Sequence, residues 1–547
     1  MKKTIKIVSL LAAMTLLLGS CEKNFDPKMY GKLFTTNFPQ SEGDYESLLM
    51  NCYIPYQVRW SYNMSGASWQ HPFYVAGDGH WLNFDSPSDY TAPAVVKGGS
   101  NDMTRGFSEA NFDCAIYFTP GNNTSPTHYE KIRDITRMTG IIGTIEESKT
   151  LSDEKKKEFA GEAHFIRGLT MYLLMHMYGP VPVILDPALV GNPEAEKNLV
   201  RPTLQEMTEW ITADMENGYQ NMPENAVRGR YNKDYARFCL MRHYLNEGSY
   251  MTGYYDKAIQ MYEELKATGK YSLYTTDGDG SYAYAEQFKQ ANKFNSEVIM
   301  AVSTSASADG GGKNGNFNPF SFYATPTDVS AYADAAKTIP TPFFYQPSSW
   351  SMSYNVSPAY YDTYEPGDVR RDVIMTSYVR KDDFKVVTRA DVGVDWSGFI
   401  IWKYPIEGQY SFQPTDIPLA RWADVLLMYA EATARKNNAV PTGEAMQAVN
   451  DVRARAHLGP LSGAAVATYE GFMDALLAER GHELLYEGCR KIDLIRFNKY
   501  RHNVKAIKGR EPSHQYVPLP DYTIRQAESY GKQLEQFYER PDYSLDQ

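Results

Sequence analysis

Residues 417–458 read IPLARWADVLLMYAEATARKNNAVPTGEAMQAVNDVRARAHL, and residues 476–497, a short gap later, read LLAERGHELLYEGCRKIDLIRF. Apolar spacing predicts three helices here. In the first, Leu419, Trp422, Leu426, Tyr429 and Ala430 recur at steps of three and four, which puts them on one helical face. Pro418 falls in its first turn, where a missing amide hydrogen is tolerated. In the second, Ala445, Val449, Val452 and Ala456 form a narrow stripe of small side chains, Arg453 and Arg455 leave on other faces, and Gly459-Pro460 stops the run. The third starts at Thr468, a good N-cap, and carries Phe472, Ala475 and Leu476.

That third helix then threads Glu479, Arg480, His482, Glu483, Glu487, Arg490, Asp493 and Arg496 among Leu484, Leu485, Ile492, Leu494 and Ile495. So many charges at apolar positions predict ion pairs held inside the packing. A solvated face would instead carry ordinary i to i+4 pairs worth about 0.2–0.5 kcal/mol each. Glu479 and Glu483 lie one turn apart and could converge as a catalytic pair, but the arginines scattered among them suit a structural network better.

The run AERGHELLYEGCRKIDLIRF resembles the C-terminal signature of the SusD/RagB family, which reads close to ERRxELxFEGxRxxDLxRW; Glu479, Arg480, Glu483, Leu484, Glu487, Gly488, Arg490, Asp493, Leu494 and Arg496 match. ARWADVLLMYAEA and AVNDVRARAHL are similar to that family's upstream motifs, and GEAHFIRGLTMYLLMHMYGPVPVIL to an earlier one. The resemblance covers most of the chain, from the lipobox at 18–21 to VPLP at 517–520. It implies an outer-membrane lipoprotein that binds nutrient glycan, or in some members peptide, beside a TonB-dependent (SusC-like) transporter. It also implies that the signature charges support the fold, and that four tetratricopeptide-like repeats form a scaffold with one face toward the transporter.

Residues 1–20 read as a lipoprotein signal peptide: Lys2, Lys3 and Lys6 open it, Ile7 to Leu18 form the apolar core, and Leu18-Gly19-Ser20-Cys21 is a lipobox. The core is too short to stay in a bilayer as a spanning helix. Cys21 is therefore the expected lipidation site, and residues 21–40 a lipidated tether. The chain of 547 residues carries a formal charge of −11, and nothing in it suggests a nucleic-acid partner. No linker divides it, so residues 41–547 are expected to form one domain. Helical repeats are expected at about 150–270 and 415–500, and ligand-side loops at about 55–125 and 275–412. Cys52, Cys114, Cys239 and Cys489 are too few for a disulfide framework and lack metal spacing. Cys239 and Cys489 read as buried thiols, and a Cys52–Cys114 bridge stays open.

In the repeat region, Phe159, Ala163, Ile166, Leu169, Leu173 and Met177 make one stripe ended by Gly179-Pro180, after which VPVIL is expected to extend as a strand. Thr203 and Glu206 read as a capping box. Two more helices are expected at about 232–249 and 254–268. The fold class is thus mainly α: a tetratricopeptide-like helical hairpin scaffold with long irregular aromatic-rich loops and a few short strands.

Between Phe317 and Phe412 about one residue in five is aromatic. Any single ring is better explained as packing, but a sugar offers a flat C–H face that fits an aromatic ring, with short polar side chains taking the hydroxyls. The expected ligand platform combines Trp81, Asp78 and Asn83 with Tyr345, Trp350 and Asn355, in glycine- or proline-broken loops. GDGHW at 77–81 lacks the lysine of a phosphate loop. DGDGS at 277–281 lacks the bidentate glutamate of a calcium loop and reads as a turn. GxSxG and HExxH are absent, so no catalytic residue, metal or cofactor is expected. The expected function is non-catalytic binding of a nutrient oligo- or polysaccharide and its delivery to the transporter. A peptide-binding member, a glycan-degrading enzyme and a scaffold binding only protein remain alternatives.

Overall fold

A computed structural model describes residues 38–543 apart from 57–72, 74–78, 94–101, 118–127, 227–228, 305–317, 319, 327, 332, 335–336, 339–353, 381, 393–396 and 408–412. Cys21, Asp78, Tyr345 and Trp350 lie outside the described residues. The chain divides into a first unit ending at Leu48 and a large unit from Leu49 onward. In the first, Asp44 accepts from the amides of Gln40 and Ser41 at 2.9 and 3.0 Å, and so opens the helix Glu42–Leu49.

The large unit is mostly helical. Its principal helices are α1 (Ile132–Glu146), α2 (Asp153–Tyr178), α3 (Leu204–Asn221), α4 (Lys233–Glu247), α5 (Tyr254–Ala267), α6 (Trp422–Asn437), α7 (Glu444–Arg455), α8 (Tyr469–Glu483), α9 (Arg490–Arg496), α10 (Tyr500–Lys508) and α11 (Asp521–Ser529). Consecutive members of α1 to α7 pack on one another, and α6 also meets α8. The small residues Ala163, Ala258, Ala430 and Ala448 are buried in these contacts.

Local signals account for several ends. The Thr203 hydroxyl accepts from the Glu206 amide at 3.1 Å while the Glu206 carboxylate accepts from the Thr203 amide at 2.8 Å, the reciprocal capping box. Thr468 caps α8 through the Gly471 amide at 3.0 Å. Helix α2 stops at Gly179, whose φ of 76° favours glycine and whose Cα faces the Tyr538 ring, leaving no room for a Cβ.

Three expectations need correction. Pro418 and Leu419 are not helical: β2 (Ile417–Arg421) pairs antiparallel with β1 (Val298–Val302), Val302 opposite Ile417, and α6 begins only at Trp422. Backbone pairing across a long loop overrides a helical-looking pattern. The expected third helix is two, because Tyr486 (φ 52°) and Gly488 (φ 77°) turn the chain between α8 and α9. VPVIL has no sheet partner among the described residues. A small three-stranded sheet, Val329–Ala331, Ser377–Arg380 and Val386–Thr388, packs Tyr378 and Val387 on Met375 and Ile400.

Cys52, Cys114, Cys239 and Cys489 are free, Cys239 and Cys489 in buried positions; Cys114 Sγ donates to the Asn111 carbonyl at 3.3 Å. In DGDGS, Asp277 accepts from the Ala283 amide at 2.7 Å and Asp279 pairs with Lys289 at 2.5 Å, so both carboxylates serve the turn.

Candidate functional site

The break between α8 and α9 is the point on which distant parts of the chain converge. A Cβ at Gly488 would run into the His80 ring, so glycine lets the segment 79–92 lie directly against the signature turn. Asp85 clamps that approach by accepting from the Gly488 amide at 2.6 Å and the Arg490 amide at 3.2 Å. Burial pushes the Asp85 carboxyl up to about 7, against the pull of those two amides. Arg490 then grips Asp89 with two hydrogen bonds of 2.8 Å.

Above this clamp sits a floor of rings. Trp81 has no exposed surface; its ring lies 4.9 Å from Phe320, 5.9 Å from Tyr404 and 6.4 Å from Tyr354. Phe320 stacks on Tyr354 at 5.6 Å, and Tyr486 reaches both. The Tyr486 hydroxyl donates to the Asn355 carbonyl at 3.0 Å and pairs with Thr91 at 2.6 Å. The Asn355 side chain accepts from the Ala92 amide at 3.0 Å and donates to the Ala92 carbonyl at 3.2 Å. Two backbone pairings border this cluster: the Phe73 amide donates to the Pro55 carbonyl at 2.7 Å while the Phe73 carbonyl accepts from His80, next to Trp81, and Asn318 pairs with Gln413 while its side chain accepts from the Phe320 amide at 2.9 Å.

The structure brings Trp81 next to Tyr354, the residue before Asn355. It does not expose the expected residues that lie among the described ones. Trp81, Asn83 and Asn355 are buried, and a ring without exposed surface has no face to offer a sugar. Asn83 instead donates to the Gly79 carbonyl at 2.9 Å. The sequence did not flag Phe320, Tyr404 or Asp85; Tyr486 sat in plain view in ELLYEG, with nothing in it to say that its hydroxyl would bridge two loops.

Beneath the floor lies the ion network. Arg421 donates to Glu483 at 2.9 Å and to Glu487 at 2.6 and 2.9 Å, and contacts Glu297. Arg455 joins Glu297 and Glu483, each at 2.5 Å. Arg370, with no exposure, takes Asp368 in a fork and reaches Glu479 at 2.6 Å. Arg453 also meets Glu479, at 3.1 Å. So Arg453 and Arg455, leaving the small-residue stripe, point into the network. A second group joins Arg480 to Asp493 and Asp424, and Arg496 to Glu431 and Asp493.

Burial raises the Glu483 carboxyl, but the Arg455, Arg421 and Arg370 guanidiniums outweigh it and hold the group at about 2. A carboxylate so acidic and so fully engaged is a poor proton donor or acceptor near neutrality. Glu479 and Glu483 are buried and share Arg370 as a partner. Among the described residues no group of histidines, cysteines and carboxylates is placed to hold a metal ion.

A family model described as "SusD family" matches residues 212–541, and a second, described as "Starch-binding associating with outer membrane", matches residues 68–245. The SusD-like protein P25 of Formosa agariphila is 22% identical over 94% of this chain and 96% of its own length. A SusD-like protein of Bacteroides ovatus is 23% identical over 75% of this chain and 73% of its own. Among solved structures, a SusD superfamily protein of Parabacteroides distasonis superposes with a TM-score of 0.68 at 17% identity, over 93% of this chain and 100% of that one. A laminarin-binding SusD-like protein gives 0.64 at 21% identity, over 92% and 100%. With the signature turn, its ion network and a family model matched over more than half its length, the chain belongs to the SusD family.

Proposed function

We propose that this protein is a non-catalytic binder of nutrient glycan, anchored in the outer membrane through lipid on Cys21 and exposed at the cell surface, where it passes oligosaccharide to a TonB-dependent transporter. The convergence of the Pro55/Phe73, Ala92, Phe320 and Tyr354/Asn355 segments on the Trp81 floor carries the reading. Asp78, Tyr345 and Trp350 are close in sequence to these meeting points and are the residues we assign to the ligand, with the helical repeats as scaffold. Related proteins named for laminarin binding and surface glycan binding share the fold, and the family description matched at residues 68–245 speaks of starch binding and the outer membrane. The saturated ion network argues against hydrolysis, because no described acid of the signature stands free to donate a proton.

The test is a glycan array probed with the full chain in detergent, followed by a reducing-end assay on each glycan bound. Capture without new reducing ends is the expected result. Release of shorter products would make the protein a glycan-degrading enzyme, and failure to capture any glycan would overturn the reading.

A further inference from the structure

A groove of about 400 Å³ lies elsewhere on the large unit and shares no lining residue with the Trp81 floor. Tyr129, Pro182 and Ile184 form its base, and one face of α11 forms a wall. That face is Tyr522, Thr523, Gln526 and Ala527, a spacing of one helical stripe, and Tyr530, the residue that caps the helix, continues the wall. Most amphipathic helices turn such a stripe into the core. Here it borders an open groove, and Tyr530 keeps 45% of its surface exposed.

The elements around the groove are pinned, so it is preformed. The Asp521 amide donates to the Ile116 carbonyl at 2.8 Å, and the Gln536 amide group holds Asp521 at 2.9 Å and the Leu519 carbonyl at 3.0 Å. Arg201 ties the segment after α11 to the end of α2, reaching the Glu535 carbonyl at 2.8 Å and the Pro180 carbonyl at 2.6 Å. The Tyr522 hydroxyl donates to the buried Glu130 carboxylate at 3.2 Å, which fixes its ring. A site already in its bound shape loses little freedom on binding.

Its chemistry selects a class of ligand. Glu130 and Glu196 are balanced by Arg133 and Lys197, so no strongly charged ligand is favoured. Tyr522 in α11 and Tyr530, which caps its C-terminus, stand at either end of the groove wall, with the Gln526 amide between them in sequence offering both a donor and an acceptor. Rings for apolar C–H faces, an amide for hydroxyls and a balanced charge suit a neutral saccharide.

We propose that this groove is a second saccharide site, so that a glycan long enough to reach both it and the first site is held more firmly than a short one; this rests on the glycan-binding reading above. The test compares the full chain in detergent with Tyr530→Ala, Gln526→Ala and Trp350→Ala on an array carrying polysaccharides and their short oligomers. Gln526 and Tyr530 are exposed, so their variants should keep the wild-type melting temperature. Expected is about a tenfold loss of affinity for the long glycan in Tyr530→Ala, a smaller loss in Gln526→Ala, and unchanged binding of the shortest oligomer captured. If both groove variants bind the long glycan as wild type does while Trp350→Ala weakens it, the groove is no saccharide site and the loop site stands. If the wild type captures nothing, both readings fall together.

Discussion

Arg421 holds Glu483 at two points: Nη1 donates to the carboxylate at 2.9 Å and Nη2 to the backbone carbonyl of the same residue at 3.1 Å. One guanidinium at the mouth of α6 therefore fixes both the side chain and the terminal carbonyl of α8, where the chain must turn toward α9. Removing Glu483 takes away the one carboxylate that Arg421, Arg455 and Arg370 share, and leaves them only Glu487, Glu297, Asp368 and Glu479 to balance their charge. Glu483→Ala should cost about 3–5 kcal/mol, read as a lower denaturation midpoint, with the glycan affinity of the folded fraction unchanged. The sign with pH follows from a folded pKa held down at about 2. The stabilisation is complete above the ordinary glutamate range and is lost as pH falls toward 2. A variant of wild-type stability that no longer binds glycan would move this residue from scaffold to site.

Asn355 couples scaffold to loops. Its amide satisfies both backbone groups of Ala92. Asn355→Ala strands a buried donor and a buried acceptor, each costing about 1–3 kcal/mol. The variant should melt earlier and also bind glycan more weakly, because the loop roots lose their register. Weaker stability with full affinity would show that the roots do not position the ligand.

Lys491 is enclosed without an anion. Its ammonium lies 4.4 Å from the centre of the Phe112 ring and 5.5 and 5.7 Å from those of Tyr516 and Tyr500, its titratable neighbours, and has no hydrogen-bond partner. Burial pulls its pKa down to about 7. Between that value and about 10.4 the unfolded chain holds a proton that the folded chain does not, so stability rises with pH through this window. Lys491→Met keeps the volume without the charge. Its melting temperature should exceed that of the wild type at pH 7, and its rise from pH 7 to 10 should be flatter. A less stable variant at pH 7 would mean that the aromatic cage favours the cation more than burial disfavours it.

The lipid anchor has its own test. Cys21→Ala should abolish incorporation of labelled fatty acid and shift the protein out of the detergent-soluble outer-membrane fraction. Unchanged fractionation would place the anchor elsewhere.

Much of this fold was legible because its signals are local. The Thr203–Glu206 box, the Thr468 cap and the Gly179 stop depend on residues within one turn of each other, and each was readable from spacing alone. The charges of the signature were also legible as buried, since no solvated face mixes them so evenly with leucine and isoleucine. What escaped was non-local. Pro418 becomes a strand residue because Val298–Val302 supplies a partner from far upstream. Arg453 and Arg455 turn inward because Glu479, Glu297 and Glu483 wait there. Trp81 reads as a loop tryptophan until Phe320, Tyr354 and Tyr404 cover it. A glycine- and aromatic-rich composition reads the same whether its rings are buried or exposed, so sequence alone did not separate the two.

The central claim is that ligand is held by the loops rooted on the Trp81 floor and not by the charged core below. Calorimetric titration of the full chain with the glycan captured on the array, wild type against Trp350→Ala at matched melting temperature, tests it most directly. Loss of one stacking ring should weaken binding about tenfold or more. Equal affinity of the two proteins would contradict the account and send the search to the other aromatic residues of these loops.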